Sequence, residues 1–242
     1  MRNLLLFMLL VGIFVIWRGQ RGCGFVIGPG LNASGSVRTE QRNVSNFHQL
    51  DIAISADVEV VVADQYAVEV TASENILPVL KTEVENGKLK IYFDANINNT
   101  GNLRIKVSGP SFDAFDIAGS GNVRVTSPLR AEKLDLEVVG SGNLYLPQAE
   151  LGTVNCDVAG SGSVQLGGTA RQMHVEVVGS GNLDAQSMTI ARLDAEIAGS
   201  GSVTANVTEQ LDADVTGSGD VRYSGNPTVK VHTSGSGTVS RM

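Results

Sequence analysis

The tripeptide Gly-Ser-Gly begins at Gly119, Gly140, Gly160, Gly179, Gly199, Gly217 and Gly235, at intervals of 21, 20, 19, 20, 18 and 18 residues. A self-similar unit at a near-constant period is the mark of a repeat architecture, in which each unit buries its apolar side chains only by stacking on its neighbours. The residues around the tripeptide are phased. Two positions before it stand Ile117, Val138, Val158, Val177, Ile197 and Val215, and four before it Phe115, Leu136, Cys156, Val175, Ala195 and Ala213. Between them lie Asp116, Glu137, Asp157, Glu176, Glu196 and Asp214. Strict alternation of apolar and charged residues describes a strand with one dry and one wet face. After the tripeptide a polar residue precedes an aliphatic one, as in Asn122-Val123, Asn143-Leu144 and Asn182-Leu183. Each unit therefore reads as strand, glycine corner, strand and a more variable connection.

Glycine suits such a corner because it reaches positive φ and lets adjacent coils approach without a Cβ in the way. It makes up 28 of the 242 residues, yet there is no Gly-X-Y period, which excludes collagen. A Gly-Ser linker would not be flanked by phased valine and leucine, and no copy extends to Gly-x-Gly-x-x-Gly. The expectation is an all-β, right-handed parallel β-solenoid from about residue 113 to 242, its coils about 4.8 Å apart.

Residues 46–112 lack the tripeptide but remain strand-like at Leu50 to Ser55, Val58 to Val62, Ala67 to Thr71 and Leu103 to Val107. Glu83 to Phe93 reads as a hairpin turning on Asn86-Gly87. This part is expected to cap the solenoid or to continue it with decorated coils. Ser34-Gly35-Ser36-Val37 faintly echoes the repeat, within a stretch (23–45) that reads as a linker.

Several of these segments together resemble a bacterial family, the putative auto-transporter adhesins of the head GIN domain. The resemblance is carried by Phe47-x-x-Leu50, Asp57-Val-Glu-Val60, Tyr66-Ala-Val-Glu-Val70, Glu74-Asn-Ile-Leu-Pro78, Val84-Glu-Asn-Gly87-x-Leu89-x-Ile91 and the Gly-Ser-Gly repeats, and covers about residues 46–240. It implies an exported or lipid-anchored envelope protein with a β-helical fold, and brings no catalytic residues.

The N-terminus agrees with export. Leu4 to Trp17 is an uninterrupted apolar run between Arg2 and Arg18. As a helix it would rise about 21 Å, short of a bilayer's roughly 30 Å core and in keeping with a signal peptide or membrane anchor over residues 1–22. Cys23 stands where a lipidated cysteine would, although only Gly22 of the preceding residues fits a lipidation motif. Cleavage, lipidation and retention all stay open.

Catalytic constellations are missing. His48, His174 and His232 are the only histidines, none at a useful ligand spacing from a partner, and the latter two fall on outward strand positions. No Gly-x-Ser-x-Gly elbow occurs, so the corner serines are structural. Cys156 takes an inward position and reads as an inert buried thiol. With a net charge of −7 the chain is not expected to bind nucleic acid.

The charge is localised: 15 acidic and 8 basic residues lie from 113 onward, against 10 of each before. Asp116, Glu137, Asp157, Glu176, Glu196 and Asp214 should stack as a column of like charges, a solvated outer face or a surface that recruits Ca²⁺ or a basic partner. No cofactor is otherwise expected. The functional expectation is a non-enzymatic envelope protein, an adhesin or binding scaffold for a surface glycan or protein, held at the membrane through its N-terminal segment. A polysaccharide-active β-helix enzyme and an envelope sensor acting through a protein partner are the alternatives. Without a polar terminal coil, the C-terminal end is expected to be shielded by loops or to associate end to end.

Overall fold

In Asn182–Gly199 the buried residues are Leu183 and Ala185, then Met188 and Ile190, then Leu193, Ala195 and Ile197. The spacing is two within each group and three between groups. A strand alternates its side chains, so each three-residue step marks a bend at which the chain turns to keep its apolar side inward. With the Gly-Ser-Gly corner, each coil therefore has three sides. The computed structural model describes residues 30–242 and is all β, a solenoid of about six turns. The N-terminal apolar run and Cys23 lie outside the described residues.

Successive coils pair in parallel, in register on either side of the corners and with register shifts along the third side. Leu129–Gly140, Asn143–Gly160, Ser163–Gly179, Asn182–Gly199 and Ser202–Gly217 each lie beside the next. Gly140, Gly160, Gly179 and Gly199 align as direct partners. The first glycine of every corner has φ between 112° and 130°, which L side chains rarely adopt. A Cβ at Gly199 would also lie 2.3 Å from the carbonyl oxygen of Gly179. The next residue's amide uses that same oxygen, with Ser200 N donating to Gly179 O at 2.8 Å. The corners thus form a hydrogen-bonded seam along the rod.

The N-terminal part both continues the solenoid and closes its end. Gln49–Ala53 lies parallel to Ala114–Gly119 on the side leading into the glycine corners, hereafter the first face. Asp57–Val62 lies parallel to Asn122–Val125 on the side leaving them, the second face. Lys88–Phe93 and Arg104–Gly109 extend those faces by one more strand each. Antiparallel strands then take over: Leu80–Glu85 on Lys88–Phe93, and Ala67–Ser73 on Arg104–Gly109. Asn86 and Gly87 both have positive φ, as the hairpin's two-residue turn demands. The aromatic rings of Phe47, Phe112 and Phe115 are fully buried and in sequence, 6.4 Å and 5.8 Å between centroids, joining this part to the first glycine-cornered coil.

The stretch read as a linker is structured from residue 31 onward. Leu31–Asn32 pairs with Ile97–Asn99, and Val37–Arg42 pairs antiparallel with Ala67–Ser73. The echo of the repeat at Ser34 to Val37 is accordingly not a coil. Val37–Arg42 is a polar edge strand with almost every side chain exposed, so it lacks the alternation that betrays a strand.

Candidate functional site

The six predicted acidic residues form one continuous column. Asp116, Glu137, Asp157, Glu176, Glu196 and Asp214 are direct partners from coil to coil on the first face. The pairing of Asp51 with Asp116 extends the column into the N-terminal part. Lys90 stands beside Asp51 at one end and His232 beside Asp214 at the other. Neighbouring rungs are about 4.8 Å apart.

From Asp116 to Glu196 the column is partly sheltered rather than freely solvated, while Asp214 at its end is exposed. The column runs through a groove of about 380 Å³ whose lining includes Glu137, Asp157, Glu176 and Glu196. Asp116 is buried beneath Lys88, whose Nζ lies 2.5 Å from Oδ2. Oε1 of Glu176 is buried without a hydrogen-bond partner. Burial, with the neighbouring charges of Asp157 and Glu196, raises the Glu176 carboxyl to about 7. Burial followed by Asp135 raises Asp157, and burial followed by Asp194 and Asp214 raises Glu196.

Two further columns flank the acids. On one side Asp135, Asn155, His174, Asp194, Asp212 and Lys230 align through the same ladder. This column carries its own partners: Asn155 Nδ2 donates to Asp135 at 2.7 Å, His174 Nδ1 lies 3.5 Å from Asp194, and Lys230 Nζ lies 2.8 Å from Asp212. His174 is therefore half-buried and engaged rather than simply exposed. On the corner side Ala118, Val139, Ala159, Val178 and Ala198 form a half-buried aliphatic column that the sequence reading passed over. Every one of these residues immediately precedes a corner glycine, which was the available signal.

The chemistry of the acidic groove is limited. No three His, Cys, Asp or Glu residues gather in a metal-holding arrangement among the described residues, so the expected Ca²⁺ gains no support from geometry. The carboxylates follow the coil period, with no long loop drawn over part of the row. His48 is engaged by Asp113, Nδ1 to Oδ2 at 3.0 Å, in an anchor for the turn at Gly87 rather than a site. Cys156 is fully buried, and burial pushes its thiol far above the usual range.

A second, larger groove was not foreseen. It occupies about 770 Å³ on the second face, where Asp57, Asn122, Asn143 and Ser163 form one column and Glu59, Arg124, Tyr145 and Gln165 the next. Thr71 and Glu69 of the antiparallel cap line its far end. The Arg124 guanidinium lies 4.4 Å from the Tyr145 ring centroid. These residues come from segments up to about a hundred positions apart, and only the parallel register brings them together.

The architecture matches solved structures closely. A putative adhesin from Bacteroides fragilis is 25% identical with a TM-score of 0.84, covering 88% of this chain and 100% of that one. A putative adhesin from Parabacteroides distasonis is 26% identical with a TM-score of 0.74, again covering 88% and 100%. A third structure, titled a putative lipid binding protein, also from Parabacteroides distasonis, is 25% identical with a TM-score of 0.77 over the same shares. No curated protein matches the chain. Residues 46–227 match the family described as putative auto-transporter adhesin, head GIN domain, and the chain belongs to that family.

Proposed function

We propose that this protein is a non-enzymatic surface-binding protein of the cell envelope, a scaffold that presents periodic side-chain columns to an extracellular ligand. The observation that carries the reading is the unbroken register of outward side chains along the first face, from residues 135–140 through to the strand ending at Gly217. A ligand meeting such a face sees the same chemistry at each rung, which suits repeated weak contacts more than one catalytic centre. Membership of a family described as adhesins supports it. The even row of carboxylates supports binding over glycan cleavage, because a glycosidase sets one acid and one base about a single bond.

Export through residues 1–22 is part of the proposal. The full chain should fractionate with the envelope, and deletion of residues 1–22 should leave it in the cytoplasm. The central test offers the purified protein, immobilised on beads, to intact bacterial cells and to isolated envelope polysaccharide. Retention of cells or polymer, with no new reducing ends after prolonged incubation, is the expected result. Release of reducing ends that tracks protein concentration would establish the enzyme instead.

A further inference from the structure

The groove on the second face has features that select a ligand class. Between the antiparallel cap and the glycine-cornered coils its floor crosses adjacent strands, from Thr71 to Ser163. Its charges cancel: Asp57, Glu59 and Glu69 against Arg104, Lys106 and Arg124. That contrasts with the acidic groove on the first face, and it removes any long-range pull toward a polyion.

The side chains along the floor hydrogen-bond to one another but keep capacity in reserve. Asn143 Nδ2 donates to Asn122 Oδ1 at 2.8 Å, and Asn122 Nδ2 donates to Asp57 Oδ1 at 2.9 Å. A carboxamide has two N–H donors and an oxygen with two lone pairs, so each asparagine in this relay retains a donor and an acceptor site. Beside the relay stands Tyr145, one face of its ring covered by the Arg124 guanidinium, so that a sugar would stack on the other face. A planar apolar ring next to fixed amide and carboxylate groups matches a sugar, which offers an apolar C–H face and a rim of hydroxyls.

Geometry sets the direction of the ligand. Rungs recur about every 4.8 Å along the solenoid axis, close to the rise of one pyranose in an extended chain. From Asp57 to Ser163 is three intervals, about 14 Å, room for three to four sugars. A peptide is the poorer fit. The strands of Ala67–Ser73, Arg104–Gly109, Asp57–Val62, Asn122–Val125 and Asn143–Gly160 are each paired on both sides, leaving no edge in the groove for β-strand addition.

We propose that this second-face groove binds an uncharged, extended oligosaccharide laid along the solenoid axis, with Tyr145 as its stacking platform and the Asn122–Asn143 relay and Gln165 as its hydrogen-bonding rungs. The proposal rests on the surface-binding reading and adds where the ligand sits and what it is. The test screens the full chain on an array of neutral and anionic glycans. Titration calorimetry then follows with cellohexaose, xylohexaose and mannohexaose, shortened series of any that bind, and hyaluronan hexasaccharide.

The expected result is binding of neutral glycans, with affinity rising at least tenfold from disaccharide to tetrasaccharide and then levelling. Tyr145→Ala should weaken it at least tenfold. Gln165→Arg, at an exposed position and so safe for folding, should weaken it comparably, while Thr189→Ala, exposed on the third side and in neither groove, leaves it unchanged. Absence of neutral-glycan binding, preference for the anionic probe, or indifference to both groove variants overturns the proposal. Cell capture by beads carrying the Gln165→Arg protein separates the two claims. Undiminished capture without glycan binding removes the groove and leaves surface binding standing; no capture by the unaltered protein removes the surface-binding reading itself.

Discussion

At the level of single residues, glycine and glutamate have the most to say. The seam glycines combine a positive φ with a carbonyl in the space a Cβ would need, 2.3 Å away at Gly199. Gly199→Ala should cost about 2 kcal/mol or more of unfolding free energy, read from the shift in chemical-denaturation midpoint. Ser161→Ala in the exposed middle of an equivalent corner should stay within about 0.5 kcal/mol. Glu176 makes a prediction in pH. Its folded-state pKa, about 7, lies above its ordinary value of 4.5, so between those limits the native protein holds a proton the unfolded chain releases. Stability gained from that proton is present at pH 4.5 and is lost as pH rises through 7. The melting temperature should fall from pH 5 to pH 8, with Asp157 and Glu196 acting in the same direction. Glu176→Gln should raise it at pH 8 and change it little at pH 5. A melting curve that instead rises toward pH 8 would contradict the burial of the column.

Elements show what could be read without coordinates and what could not. On the two strands flanking each corner the alternation specifies which side chains point inward, because a two-residue period admits one assignment of faces. The third side, entered and left by three-residue steps such as Ala185 to Met188 and Ile190 to Leu193, read only as a variable connection. The acidic column follows from that register alone. Its burial does not, since Lys88, which covers Asp116, arrives on a strand 28 positions earlier through pairings that carry no tripeptide. The second-face groove was hidden for the same reason: Asp57 and Asn122 are 65 positions apart, separated by a hairpin and two antiparallel strands. Val37–Arg42 was hidden because an exposed polar edge strand has no hydrophobic pattern. The phenylalanine series tests how closely the two parts are joined. Phe112→Ala should cost about 3–5 kcal/mol, as for a buried ring in a core that cannot collapse. Hydrogen exchange should then quicken in both Gln49–Ala53 and Ala114–Gly119, which share one ladder.

For the molecule as a whole, the two ends differ. The N-terminal end is closed by antiparallel strands, and Ile76, Leu77 and Leu80 cover the core there. At the other end Thr228–Gly235 and Thr238–Arg241 have no strand beyond them among the described residues, and Val231 is 47% exposed. Charge is also unequal, because the full −7 belongs to residues 113 onward. Added salt should therefore raise the melting temperature at pH 8 more than at pH 5.

The glycine seam carries an implication for how such molecules change over generations. Each corner from Gly140 onward fits because another glycine lies directly beneath it, so any corner is a platform for a copy of itself. Whole turns can be inserted or excised with the remainder intact, and length differences of one or two residues between coils are taken up in the shifts along the third side, as at Leu146/Ala149 and Ala185/Thr189, before the next corner realigns. Reach can thus lengthen or shorten in ticks of about 4.8 Å, while the recognition chemistry near the capped end stays as it was.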